Sequence, residues 1–176
     1  LRDILAGKDD GFVREILSIT NQNGTNVAHW LARHNIAAFQ DILEGKDAEF
    51  VRDILSIADQ YGNSVAHQLA YYNGAALRDI LAGKDDGFVR EILSITNQNG
   101  TNVAHWLAQF NGEVLREILT GKSDEFVNGI LLIQDASHRT VSDVLFDRFP
   151  DVLRAISPNI FARYPAPPRG GCCVIS

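Results

Sequence analysis

The chain closes on Cys172-Cys173-Val174-Ile175-Ser176, the one stretch whose residue types and order point to covalent chemistry. A cysteine followed by two aliphatic residues and a terminal serine matches the C-a-a-X box. There the Cys173 thiol takes up an isoprenoid, and a terminal Ser favours a farnesyl group. Val174, Ile175 and Ser176 are then the residues that protein farnesyltransferase reads and later processing removes. Both cysteines of the chain are spent here. Adjacent cysteines cannot staple a fold, so a reducing compartment is expected. One lipid chain holds a protein at a membrane only marginally. Arg163 and Arg169 are too few for a basic second signal, which makes Cys172 the candidate for a palmitoyl chain.

The second group with chemical potential is His29, His67 and His105, spaced 38 residues apart. If each stands on its own stacked unit, neighbouring rings lie roughly 10 Å apart, too far to share a zinc ion with bonds of about 2 Å. They read better as structural histidines, buried and hydrogen-bonded. No nucleophile–base pair, glycine-rich phosphate loop or acidic pair stands out, so neither an enzyme nor a cofactor is expected. The net charge of −6, with Lys and Arg scattered among acids, argues against nucleic acid as a partner.

The elements that would carry these residues form a repeat. "LRDIL" at Leu1 returns as "FQDIL" at Phe39, "LRDIL" at Leu77, "LREIL" at Leu115 and "LRAIS" at Leu153, and Leu1–Ala32 recurs unchanged at Leu77–Ala108. Each period predicts three short helices. The first starts after Asn26, Ser64, Asn102 or Thr140, all good N-caps, and carries an apolar stripe such as Val27, Ala28, Leu31 and Ala32. The second, "AAFQDIL", closes on Gly45, with Gly7, Gly83 and Gly121 as equivalents that fit a left-handed cap. The third, "EFVRDIL", follows Asp47, with Asp9, Asp85 and Ser123 as equivalents. Gly24, Gly62 and Gly100 mark a turn before each first helix. Units this small must share a core with their neighbours, as in a solenoid. In the last unit His138 replaces the turn glycine, Asp143 replaces the histidine, and "FDRFPDVLRAIS" reads as a C-terminal cap. The chain opens on Leu1 and holds no methionine, which points to a fragment or a processed product, so a removed N-terminal signal stays open. No apolar run approaches the ~20 residues that span a bilayer.

"NQNGTNVAHWLARHN" (Asn21–Asn35) resembles the ankyrin repeat, whose pattern runs D-x-x-G-x-T-P-L-H-x-A-A-x-x-G. Gly24, His29 and Ala32 match, Asn21 stands for Asp and Asn26 for Thr, and "FQDILEG" resembles the ankyrin second helix. The turn proline is absent, the 38-residue period exceeds the usual ankyrin length, and "EFVRDIL" sits where ankyrin has its hairpin loop. The "G-N/T-x-V-A-H-x-L-A" pattern also resembles ankyrin-type effectors that intracellular bacteria inject into host cells. In ankyrin-like repeats the equivalent histidine bonds the backbone of the turn. The resemblance thus implies an all-α, ankyrin-like solenoid with an extra helix per repeat over residues 1–156. A Pro/Gly-rich linker and C-a-a-X tail follow over residues 157–176.

On a helical wheel Trp30 and Arg33 point away from the apolar stripe, as do Gln68 and Tyr71, then Trp106 and Gln109. His34, Tyr72 and Phe110 lie on the shoulder. In ankyrin stacks this surface lines the concave groove, and exposed Trp, Tyr and Arg commonly anchor interfaces. The other reading is that Trp30 and Trp106 pack against the neighbouring unit. The combined expectation is a non-enzymatic adaptor at the cytosolic face of a membrane, a host membrane if the chain is a bacterial effector. It would be farnesylated at Cys173 and bind an unidentified protein on the concave face. The alternatives are a soluble ankyrin-type scaffold with an unmodified tail, and the targeting module of a larger enzyme.

Overall fold

The computed structural model describes residue 5, residues 7–22 and residues 24–165. Within them lie thirteen helices. Helix α1 (Asp10–Ser18) precedes α2 (Val27–His34), α3 (Ile36–Leu43) and α4 (Ala48–Ser56). The pattern continues with α5 (Val65–Tyr72), α6 (Gly74–Leu81) and α7 (Asp86–Ser94), then α8 (Val103–Phe110), α9 (Gly112–Leu119) and α10 (Asp124–Leu131). Helices α11 (Val141–Arg148), α12 (Pro150–Ile156) and α13 (Pro158–Phe161) finish it. Equivalent helices stack in rows, and the row α2–α5–α8–α11 packs against both flanking rows, so the core runs continuously through every unit. The expected all-α solenoid of 38-residue repeats is what the chain forms.

The capping expectations hold residue by residue. Asn26, Ser64, Asn102 and Thr140 each accept a hydrogen bond from the backbone N–H three residues on. Asp9, Asp47, Asp85 and Ser123 do the same for the helices after them. Such a cap is worth about 1 kcal/mol, and helices of eight or nine residues need it, because they are too short to stand alone in water. The glycines after the second helices work differently from the expected cap. The helix ends at Leu43, Glu44 is extended (φ −60°, ψ 129°), and Gly45 follows at φ +73°. Lys46 N–H then bonds Leu43 C=O. This is a type II turn, which needs a positive φ at its third residue. Residues 82–84 and 120–122 repeat it.

The turn between a third helix and the next first helix is a minimal hairpin, closed by one antiparallel bridge per unit such as Ala58–Ser64. These turns also bond to one another. Gln98 N–H donates to Tyr61 C=O, and Gln98 Nε2 donates to Gln60 C=O. The approach is close enough to dictate glycine twice over. Gly62 has φ +75°, and a Cβ there would lie 2.8 Å from the Gln98 nitrogen; at Gly24 and Gly100 it would lie 2.8 Å from the next turn's Cβ. His138 keeps the positive φ at 60° with a full side chain. Among the described residues no further turn packs over it, so the steric half of the requirement is gone there.

The last unit is closed by its own side chains. Phe146 occupies the place of the buried alanines Ala32, Ala70 and Ala108, and Tyr164 stacks on it at 4.4 Å and 12°. On the third-helix row a cation closes over each buried ring from the unit before: Arg14 over Phe50, Arg52 over Phe88 and Arg90 over Phe126, at 5.0, 5.7 and 5.0 Å.

Candidate aromatic binding surface

The repeated 32-residue sequence supplies an internal control on exposure. Phe12 is 37% exposed while its copy Phe88 is 3% exposed. Trp30 is 55% exposed, whereas Trp106 is half-buried against the core. Sequence through Ala32 and Ala108 is the same at both places, and Phe88 and Trp106 each have a described unit packed in front of them. Trp106 lies edge-on to His67 and Tyr71 of the preceding unit, at 5.4 and 5.8 Å. Trp106 packs on its neighbour, and Trp30 stands open beside His34 at 5.1 Å.

The exposed side of the first-helix row carries a contiguous aromatic strip. Tyr71 is its hub, with Tyr72 and Phe110 both 4.5 Å away in edge-to-face contact, and Trp106 lies 6.0 Å from Phe110. Each such pair is worth about 1 kcal/mol beyond its buried area, so the rings are held in place. Tyr71, Tyr72 and Phe110 nevertheless remain 41 to 43% exposed. The Arg33 guanidinium sits over the Tyr72 ring at 4.5 Å and joins the second unit to the first. Helices α2, α5 and α8 bring these groups together, because positions 33, 71 and 109, and 34, 72 and 110, are register equivalents. Gln68 is half-buried in the same row and Gln109 is exposed.

Beneath the strip the three histidines tie unit to unit. Nε2 of His29, His67 and His105 donates to the carbonyls of Asn63, Thr101 and Arg139, at 2.7, 3.1 and 2.9 Å. Each acceptor lies in the turn of the following unit, 34 residues on, which no single repeat could reveal. At His67 the other ring nitrogen accepts from both the N–H and the O–H of Ser64, at 3.1 and 2.8 Å, which fixes the neutral tautomer. Burial depresses the His67 pKa to about 4, against smaller opposing effects of the Thr101 bond and the Asp59 charge. Burial likewise lowers His29 and His105. His105 differs in one respect: its Nδ1 is buried without a partner among the described residues, where the amide nitrogens of Asn102 and Asn26 also have none.

Asp143 takes the histidine position in the last unit, and the bond there reverses direction. Tyr164 O–H donates to Asp143 Oδ1 at 2.8 Å, where a histidine would donate to a carbonyl. Burial works to raise the Asp143 pKa, but bonds from the Thr140 N–H and O–H and from Tyr164 outweigh it and hold the carboxyl low. Sequence reasoning saw the replacement of histidine but not its partner, which lies 21 residues downstream. Shallow recesses of about 260 to 360 Å³ recur at successive junctions between the second- and third-helix rows, one of them lined by Arg78, Leu81, Val89, Glu117 and Lys122. They are a product of the repeat. The lipidation candidates Cys172 and Cys173 and the recognition residues Val174, Ile175 and Ser176 lie outside the described residues.

No protein-family model matches the chain, and no curated protein matches it. Among solved structures, that of the predatory endopeptidase Bd0816 from Bdellovibrio bacteriovorus in complex with immunity protein Bd3460 contains a similar chain. The two share 16% identity at a TM-score of 0.51, over 81% of this chain and 68% of that one. At that identity the likeness shows the fold alone.

Proposed function

We propose that this protein is a non-enzymatic adaptor whose aromatic strip takes a protein segment and whose C-a-a-X tail places it at a cytosolic membrane surface. The observation that carries the binding half is the strip itself: Tyr71, Tyr72 and Phe110 stay more than two-fifths exposed although edge-to-face contacts lock them. Rigid, half-exposed aromatics with one arginine at their margin are what interface hot spots are made of, because little side-chain entropy is lost when they are covered. The likeness of Asn21–Asn35 to the ankyrin repeat supports the same use of this row. The membrane half rests on Cys173-Val174-Ile175-Ser176, with Cys172 as the second acylation site that one prenyl chain calls for.

Expression in eukaryotic cells tests both halves together. Intact mass should show one farnesyl group and the loss of Val174–Ser176, membrane fractionation should follow it, and Cys173→Ser should abolish both. Palmitate incorporation should fall in Cys172→Ser. A protein that stays soluble at its plain polypeptide mass removes the membrane half and leaves a soluble scaffold. Tyr71→Ala and Phe110→Ala should lose crosslinked protein partners while keeping the wild-type melting temperature; retention of every partner removes the binding half.

A further inference from the structure

We propose that the aromatic strip takes an acidic protein segment, with apolar side chains seated on Tyr71, Tyr72 and Phe110 and a carboxylate held by Arg33. The inference rests on reading the strip as a protein-binding surface, and it adds the chemistry of the partner.

Helices α2, α5 and α8 read VAHWLARH, VAHQLAYY and VAHWLAQF. The Val, Ala, His, Leu and Ala positions never change, and they face the core or the next turn. All variation falls on positions 30, 68 and 106, then 33, 71 and 109, then 34, 72 and 110, which are the positions of the strip. The framework is thus fixed while the open positions differ from unit to unit. Rings, amides and cations occupy them, and no carboxylate does. The three helices together hold no Asp or Glu, in a chain whose 22 acids outnumber its 16 Lys and Arg. The acids recur instead on the other two rows: Asp41, Asp79 and Glu117 on second helices, Glu15, Asp53 and Glu91 on third helices.

What charge the strip has is cationic and unmatched. Arg33 lies over Tyr72 at 4.5 Å, is exposed, and has no carboxylate partner among the described residues. By contrast Arg14, Arg52, Arg78, Arg116, Arg139 and Arg154 each hold a carboxylate at 2.5 to 3.0 Å. Arg148, the register equivalent of Tyr72 and Phe110 on α11, is exposed and likewise has no described carboxylate. The two acids of α11 are already engaged, Asp147 by Arg139 at 2.7 Å and Asp143 by Tyr164 at 2.8 Å. The rings therefore run between two free guanidinium groups.

A guanidinium held on a ring loses little side-chain entropy when its N–H groups meet a partner, and a carboxylate fits that planar fork bidentately. The net charge of −6 does not forbid an acidic segment. At physiological ionic strength exposed charges more than about 8 Å apart are largely screened, and the helices that carry the strip are free of acid.

The test selects a phage library of random peptides on the immobilised full chain. Peptides of about twelve residues span roughly 40 Å when extended, more than the three unit spacings of about 10 Å from Arg33 to Arg148. Recovered peptides, synthesised and titrated by fluorescence anisotropy, should combine Asp or Glu with Phe, Leu or Trp. Tyr71→Ala should abolish their binding. Arg33→Gln should raise Kd about tenfold, the worth of one charge-assisted pair. Changing the peptide's acids to lysine should reverse the preference, so that Arg33→Glu binds the lysine peptide more tightly than the wild-type chain does. Circular dichroism checks that the variants melt as the wild type does; if Arg33→Gln melts early, the charge-swapped pair decides, at a temperature where both chains are folded. Peptides that bind through Tyr71 and Phe110 without an acid, or acidic peptides indifferent to both Arg33 substitutions, refute the acidic partner and leave the strip as a binding surface. Recovery of no peptide that depends on Tyr71 or Phe110 overturns the proposal and the binding half of the proposed function with it.

Discussion

Acidification should unlock the stack at its histidines, and His67 sets the scale. Its ring is fully buried and donates to Thr101, and burial holds its pKa at about 4. In the unfolded chain it titrates near 6.5, so between these values the unfolded state binds more protons and stability rises with pH. The contribution is complete above about pH 6.5 and is lost as pH falls toward 4. Linkage puts the loss at about 1.3 kcal/mol between roughly pH 7.5 and 5.5, and about 2.5 kcal/mol by roughly pH 4.5. His29 and His105 are depressed by burial too and add losses of the same sign. Urea unfolding followed by circular dichroism at these three pH values measures the total, and His67→Gln isolates one share. The variant should be less stable at neutral pH and have a shallower pH slope. Two results refute the reasoning: an unchanged slope in the variant, or a His67 ring resonance that titrates at or above pH 6.5 in the folded protein.

Other substitutions test the packing argument by urea midpoint. Gly62→Ala combines a forbidden φ with a Cβ 2.8 Å from the Gln98 nitrogen and should cost about 2–4 kcal/mol. Gly45→Ala has nothing within 4 Å of the new atom and should cost only about 1 kcal/mol; equal costs would contradict the close approach of the turns. Asn102→Ser copies the Ser64 arrangement and gives His105 Nδ1 a donor, so it should stabilise by about 1 kcal/mol. A loss of stability there would mean that the asparagine amide has a partner. Trp106→Ala should cost about 2–3 kcal/mol and Trp30→Ala less than about 0.5 kcal/mol, despite identical sequence through Ala32 and Ala108. Equal effects would show that the preceding unit does not cover Trp106.

Features set by a few adjacent residues were legible in the sequence. Asn26, Ser64, Asp47 and Asp85 act on amides three residues away, and each does what its type implies. The wheel that turned Tyr71, Tyr72 and Phe110 outward needed only the 3.6-residue period. Features that depend on a neighbouring unit were not legible. The histidine acceptors lie in the next turn, and Tyr164 reaches Asp143 through the folded cap. Trp30 and Trp106 share every residue through Ala32 and Ala108, and what separates Trp106 includes His67 and Tyr71 of the preceding unit. Gly45 shows an intermediate case: its left-handed φ was readable, but the type II turn depends on Glu44 leaving the helix one residue early.

The reversed bond at Asp143 gives the array a direction of growth. A further unit appended beyond the fourth would bring a main-chain oxygen against a carboxylate, two acceptors with no proton between them, and would meet the His138 side chain where its turn must nest. Units inserted between existing ones meet neither obstacle, since every internal junction keeps histidine and glycine. Lengthening by duplication is thus tolerated in the interior and opposed at this margin by Asp143, His138 and the Phe146 ring that stands where the inner units have alanine, a terminator that engineers of repeat arrays can remove with Asp143→His, His138→Gly and Phe146→Ala.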